Sequence, residues 1–157
     1  MVIQLDELSQ VRVGISKRIV LALGAFDILH PAHIAYLTWA KQQGDLLVVS
    51  LKSDVQIKLH KGSSRPIVSA EDRVQVVAAL KPVDYALIGT SGGLFEAAVN
   101  TAKILKPDVV VLGPDWGESV LSDWQALFPN TSILVAPPSS GHTTSAIIEK
   151  IQRIQTK

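Results

Sequence analysis

The stretch Gly24-Ala25-Phe26-Asp27-Ile28-Leu29-His30-Pro31-Ala32-His33 places two imidazoles three residues apart, on either side of a proline. Pro31 suits the first turn of a helix, so His30 and His33 project from a helix start whose amides already attract an anion. Two donors that titrate near neutral pH suit a phosphate that gains charge in its transition state. The same residues also suit a proline-started helix with two incidental histidines. Asp27, His30 and His33 are in addition the residue types of a zinc site, although crowded onto one turn.

Three further segments carry chemistry-bearing side chains. Val55 to Pro66 reads as a long, positively charged loop with Lys58 and Lys61, which suits a polyphosphate contact or a solvated face. Ser139-Ser-Gly-His-Thr-Thr-Ser145 gathers hydroxyls ahead of a helical pattern, so Thr143, Thr144 and Ser145 either cradle an anion or cap the helix. Gly113-Pro114-Asp115-Trp116 offers a carboxylate and an indole to a ribose and a base, or makes a Pro-Asp turn with a packed ring. Gly89-Thr-Ser-Gly-Gly93 lacks the G-x-G-x-x-G spacing of dinucleotide binders and reads as a turn; no G-x-x-x-x-G-K-[ST] loop occurs.

The elements that must position these groups are visible in the hydrophobic pattern. Ile19–Leu23, Leu46–Ser50, Tyr85–Ile88, Val109–Leu112 and Ile133–Ala136 are continuous apolar runs, as required of strands in a parallel sheet covered on both faces. Between them lie helical patterns: Pro31–Gln43, ending at Gly44 as a left-handed terminator; Ser69–Leu80, opened by a capping box; and the stripes Leu94–Leu105, Val120–Phe128 and Ile147–Ile154. Alternation of this kind predicts an α/β fold, a Rossmann-like open five-stranded parallel sheet with helices on both faces and right-handed crossovers. Ligands of such sheets bind beyond the carboxyl ends of the strands, where the candidate residues fall.

Composition narrows the classes. A length of 157 residues fits a single domain, 1–157, with 1–18 as an extension ahead of the first strand. With 15 Lys and Arg against 14 Asp and Glu, the chain lacks the basic footprint of a nucleic-acid binder. Zero cysteines exclude thiol catalysis, disulfides and thiolate zinc sites. No apolar run approaches the roughly 18 residues of a membrane span, and 1–18 is no signal peptide, so a cytoplasmic protein is expected. Charged residues are only 18% of the chain, which points to some surface being covered by a second subunit.

Gly24 to His33 resembles the G-x-F-D-x-x-H-x-G-H signature of the nucleotidyltransferase superfamily. The resemblance continues through Tyr36-Leu37, Gly44-Asp45, Ser53-Asp54, Lys61-Gly62, Arg65-Pro66, Arg73, Val83-Asp84, Asp115-Trp116 and Gly141 to Ile148. Within that superfamily the chain is similar to the branch of heptose-phosphate adenylyltransferases and glycerol-3-phosphate cytidylyltransferases. The resemblance implies transfer of a nucleoside monophosphate from ATP or CTP, with Mg²⁺, to a phosphate-ester acceptor, releasing pyrophosphate, in an enzyme that pairs as a homodimer. In-line transfer needs positioning and charge stabilisation rather than a covalent nucleophile.

Carried over by resemblance, His30 and His33 donate to the phosphates and Lys61 neutralises the triphosphate, with Lys58 as a second candidate. Thr143, Thr144 and Ser145 hold the leaving pyrophosphate. Gly24, Ala25, Phe26, Ala32, Gly113, Asp115 and Trp116 line the nucleotide. Arg73 contacts phosphate or acceptor, and Asp27 orients the loop or the acceptor. Two positions depart from the pattern. Ala32 replaces the signature's second glycine, where a methyl crowds the nucleotide. Pro137-Pro138 stand where cytidylyltransferases carry an arginine, which favours ATP. The alternatives are a CTP-dependent cytidylyltransferase and a catalytically silent nucleotide-binding module in which Ala32 marks lost chemistry.

Overall fold

The computed structural model describes residues 1–14, 16–114, 116–138 and 142–155. Its frame is five parallel strands, β1 (Ile19–Gly24), β2 (Leu46–Leu51), β3 (Tyr85–Ile88), β4 (Val109–Leu112) and β5 (Ser132–Val135), in the order β3-β2-β1-β4-β5. The continuous apolar runs of β1, β2 and β4 are buried as strands covered on both faces must be, whereas β5, expected to be buried likewise, is an edge strand with Ser132 and Val135 exposed and Ile133 and Leu134 half-buried. In β1, Ile19, Leu21 and Leu23 enter a core with Leu8, Leu105 and Trp124, while Val20 and Ala22 enter a second core with Leu37, Val49 and Val77. This period of two divides the helices between the faces. The first core takes α4 (Leu94–Leu105) and α5 (Glu118–Leu127), the second α1 (Pro31–Lys41) and α3 (Ala70–Ala78). The chain ends with α6 (Thr144–Gln155).

Two local expectations need correction. The segment expected as a loop from Val55 to Pro66 is largely helical, as α2 (Asp54–Lys61). Its start is a reciprocal capping box: Gln56 N donates to Ser53 Oγ at 3.3 Å, and Ser53 N donates to Gln56 Oε1 at 2.9 Å. Only Gly62 to Val68 remains as a connection, so Lys58 and Lys61 are helical residues. Gly44 is not a left-handed terminator either, since α1 has already stopped at Lys41. Glycine fits there because a Cβ would lie 2.7 Å from the Arg18 carbonyl oxygen. The segment ahead of β1 packs onto this frame. A 3₁₀ helix at Leu5–Arg12 buries Leu8 and Val11 against α4, and Ile3 N donates to Ala86 O on β3 at 3.0 Å, covering that strand's outer edge.

Strand order reverses between β1 and β4, which opens a crevice at their carboxyl ends. No described helix is long and apolar enough to cross a membrane.

Candidate active site

β1 delivers the chain into a constrained turn. Phe26 and Ile28 have φ values of 54° and 48°, a left-handed conformation costly for an aromatic and a β-branched residue. Such strain persists only where the surroundings over-determine it, and it clusters at functional sites. Here the constraints are explicit. Asp27, 1% exposed, accepts from Arg65 Nε at 2.7 Å and from the Ile67 and Val68 amides at 3.0 Å. Burial alone would raise the Asp27 pKa, but the Val68 and Ile67 amides and the Arg65 charge outweigh it and hold the carboxyl below its usual range. Arg73, also 1% exposed, donates to the Ala25, Lys52 and Val68 carbonyls and pairs with Asp54 at 2.6 Å.

The imidazoles follow from this turn. His30 is the residue ahead of α1, with Pro31 in the first helical turn, and the His33 amide donates back to His30 O at 2.9 Å. The two rings stack with centroids 3.8 Å apart and planes 23° from parallel, and the Phe26 ring meets His33 edge-on at 5.4 Å. Both Nδ1 atoms are buried without a hydrogen-bond partner among the described residues. The tautomer with its proton on Nε2 is the one that offers a donor outward. Burial, with His30 and Lys61 nearby, pushes the His33 pKa down to about 4; burial and then His142 lower that of His30. Burial thus favours the neutral form of both rings.

These groups open on a cavity of about 740 Å³ along the carboxyl edge of the sheet. It is lined from the β1 turn by Gly24, Ala25, Phe26 and Asp27, and from the start of α1 by His30, Ala32 and His33. Lys61 reaches it from α2, Gly113 and Trp116 from beyond β4, and Thr143, Thr144 and Ser145 from the start of α6. Two helix starts thus face one space. Thr143 Oγ1 accepts from Ala146 N at 3.1 Å, capping α6. Thr144 Oγ1 donates to the Asp27 carbonyl at 2.7 Å, joining the two starts. The hydroxyl run therefore both caps the helix and faces the cavity.

Two predicted side chains lie elsewhere. Lys58 is exposed on α2 and does not line the cavity. Arg73 does not line it either; its buried guanidinium is occupied by the carbonyls and carboxylate named above, so it acts on the site only by holding the Ala25 turn. Asp115 and Ser139 to Gly141 lie outside the described residues. Asp27 is turned to Arg65 and the loop amides rather than towards the imidazoles, and no group of three metal-ligating side chains occurs among the described residues. Sequence reasoning missed Lys52, Arg65 and His142, all of which line the cavity. Lys52 directly follows β2, where the strand-end rule applied to the other segments would have found it; its ammonium lies 5.6 Å from the Trp116 ring centroid.

Residues 21–153 match the model of a family described as cytidylyltransferase-like. The bifunctional protein HldE of Helicobacter acinonychis (strain Sheeba) is 39% identical over 97% of this chain. That of Campylobacter fetus subsp. fetus (strain 82-40) is 45% identical over 73% of it. The chain spans 31% of the length of the Helicobacter protein and 24% of the Campylobacter one. The crystal structure of the lipopolysaccharide core biosynthesis protein from Thermoplasma volcanium GSS1 is 29% identical, with a TM-score of 0.68 over 80% of this chain and 100% of that one. Pantoate-beta-alanine ligase from Francisella tularensis, at 17% identity and a TM-score of 0.69 over 100% of this chain and 79% of that one, shares the fold.

Proposed function

The chain belongs to the cytidylyltransferase-like family, and from that membership we propose that it transfers AMP from ATP to a sugar- or polyol-phosphate acceptor with release of pyrophosphate. The observation that carries this reading is the convergence of the stacked His30–His33 pair and the hydroxyl-bearing start of α6 on one cavity, tied by the Thr144–Asp27 hydrogen bond. The reading treats 1–157 as one nucleotidyltransferase domain.

The chemistry follows from the charges. A triphosphate brings about four negative charges, which two helix starts and Lys61 are suited to neutralise. Mg²⁺ enters as part of the nucleotide substrate, bound to its phosphates. His30 and His33 are neutral donors before binding. As negative charge accumulates on the α-phosphate oxygens in the transition state, the imidazole N–H groups stabilise it where water is excluded. Thr143, Ser145 and the first amides of α6 hold the leaving pyrophosphate, while the Thr144 hydroxyl, donating to Asp27, keeps the two helix starts in register. Gly113, Trp116 and Asp115 receive the nucleoside. Ala32, which stands where the signature has its second glycine, lines the cavity, and the reading takes its single methyl as small enough for transfer to survive.

The runner-up uses CTP; Pro137 and Pro138, both lining the cavity, supply no guanidinium to a cytosine and so favour ATP. The proposed setting is the cytoplasm, where nucleotides and sugar phosphates meet. The proposed assembly is a homodimer, for which exposed apolar side chains such as Leu59 (83%) and Ile154 (67%) offer surface to cover. The test is pyrophosphate release with ATP or CTP, Mg²⁺ and a panel of sugar and polyol phosphates. Turnover with ATP supports the reading, turnover with CTP alone transfers it to the cytidylyltransferase, and tight nucleotide binding without release anywhere on the panel favours the silent module.

A further inference from the structure

A contact between two side chains spans the crevice at the reversal of strand order. Lys52 follows β2 and Trp116 follows β4, the two strands that flank β1, and both side chains line the cavity. The Lys52 ammonium lies 5.6 Å from the Trp116 ring centroid, within the range at which a ring face attracts a cation. The contact passes over the carboxyl end of β1, where Gly24 and Ala25 carry the smallest side chains.

The two partners are held differently. Lys52 N donates to Gly24 O at 2.9 Å, and the Lys52 carbonyl accepts from Arg73 Nη2 at 3.0 Å, so the backbone is pinned and the flexible four-carbon stem is the part that swings. Trp116 is half-buried: part of its ring packs against the first core and the rest is turned to the cavity. That remaining surface is the one a nucleobase would stack on, and the ammonium already stands over the ring. A base seated there displaces the cation and forfeits its attraction to the ring. A neutral nucleoside gives the displaced ammonium nothing in return. A nucleotide brings phosphate charge into the same cavity, and that charge attracts the ammonium once it has left the ring.

We propose that Lys52 is a specificity-determining residue: its contact with Trp116 closes the ring face to neutral nucleosides and yields to nucleotides, whose phosphates compensate the displaced ammonium. The inference deepens the nucleotide-transfer reading above and rests on it. Lys52 selects the ligand by its charge and takes no part in bond formation at the phosphorus. A nucleoside shares the base and ribose of the substrate but has no phosphorus to transfer, so its occupancy of the crevice would only block the site. The discrimination has the size of one partly exposed cation–π contact, about two- to fivefold in affinity.

The test is NMR titration of adenosine, and separately of α,β-methylene-ATP with Mg²⁺, into the wild type, Lys52→Met and Lys52→Arg. Lys52→Met keeps an unbranched stem without the charge. Adenosine should bind it about two- to fivefold more tightly than the wild type, while the ATP analogue should show no gain. Lys52→Arg keeps a cation for the ring and should hold adenosine near its wild-type affinity. A double-mutant cycle ties the effect to the ring: in a Trp116→Leu background, Lys52→Met should no longer tighten adenosine. Adenosine affinity unchanged or lowered in Lys52→Met, a gain shared equally by the ATP analogue, or a gain that persists without the Trp116 ring would overturn the assignment. A wild type that binds neither ligand overturns it together with the nucleotide reading. A wild type that binds the analogue, with no selective gain in Lys52→Met, removes this assignment alone.

Discussion

Thr144 Oγ1 donates to the carbonyl oxygen of Asp27 at 2.7 Å, across 117 residues of chain. That single bond links the start of α6 to the turn that carries the imidazole pair. It makes the spacing of the two anion-attracting helix ends a property of the folded protein before any ligand arrives.

Thr144→Val removes the bond and leaves the Asp27 carbonyl without it. Stability should fall by about 1 kcal/mol, while turnover should fall by about tenfold or more, because misplacement at the phosphates is amplified in rate. Thr144→Ser keeps the hydroxyl and should stay near wild type. Denaturant unfolding alongside pyrophosphate release checks both, and equal turnover in the two variants would remove the bond from the mechanism.

His33→Ala should lower kcat by at least ~10²-fold with a smaller change in the KM for ATP, as expected of a donor whose interaction strengthens in the transition state. A variant that raised KM at unchanged kcat would show a ground-state contact only.

The low His33 pKa also sets a pH dependence of stability. Its folded value of about 4 lies below the 6.5 of an unperturbed imidazole, so the unfolded chain takes up a proton first as pH falls. Stability is therefore lost progressively from about pH 6.5 down to about pH 4, by at most about 3 kcal/mol before solvent screening. Urea unfolding of wild type and His33→Asn at about pH 7 and about pH 4.5 isolates the effect. The wild type should lose more stability than the variant, and parallel losses would contradict the buried, neutral imidazole.

Arg73 separates anchoring from binding. Its buried guanidinium meets the Ala25, Lys52 and Val68 carbonyls and the Asp54 carboxylate. Arg73→Lys cannot satisfy that set, so stability should drop by about 3 kcal/mol. Turnover should fall through kcat, with no selective rise in the acceptor KM. A selective rise would return Arg73 to the acceptor contact that resemblance assigns it.

The parts legible in sequence were those with a long-range physical signature. Continuous apolar runs mark strands buried on two faces, and Ile19–Gly24 and Val109–Leu112 form close to where the pattern ends. The histidine pair is legible because Pro31 announces the helix start. α2 was hidden because its polar, basic composition outweighed Val55, Ile57 and Leu59, of which only Ile57 is buried; the Ser53–Gln56 capping box was the available clue. Arg65 and His142 were hidden as cavity residues for another reason. Nothing local in their segments tells which of several charged loop residues the fold turns inward, and Arg73, the arginine singled out, is turned away from the cavity. A buried guanidinium reads alike in sequence whether it anchors a turn or faces a ligand.

The most direct measurement is a crystal structure with α,β-methylene-ATP and Mg²⁺. The predicted result is a triphosphate bridging the cavity, with phosphate oxygens within hydrogen-bond distance of a ring nitrogen of His30 or His33 on one side and of the Thr143–Ser145 segment on the other. A nucleotide whose phosphates touch only one of these groups, or that sits outside the crevice between β1 and β4, would contradict the account.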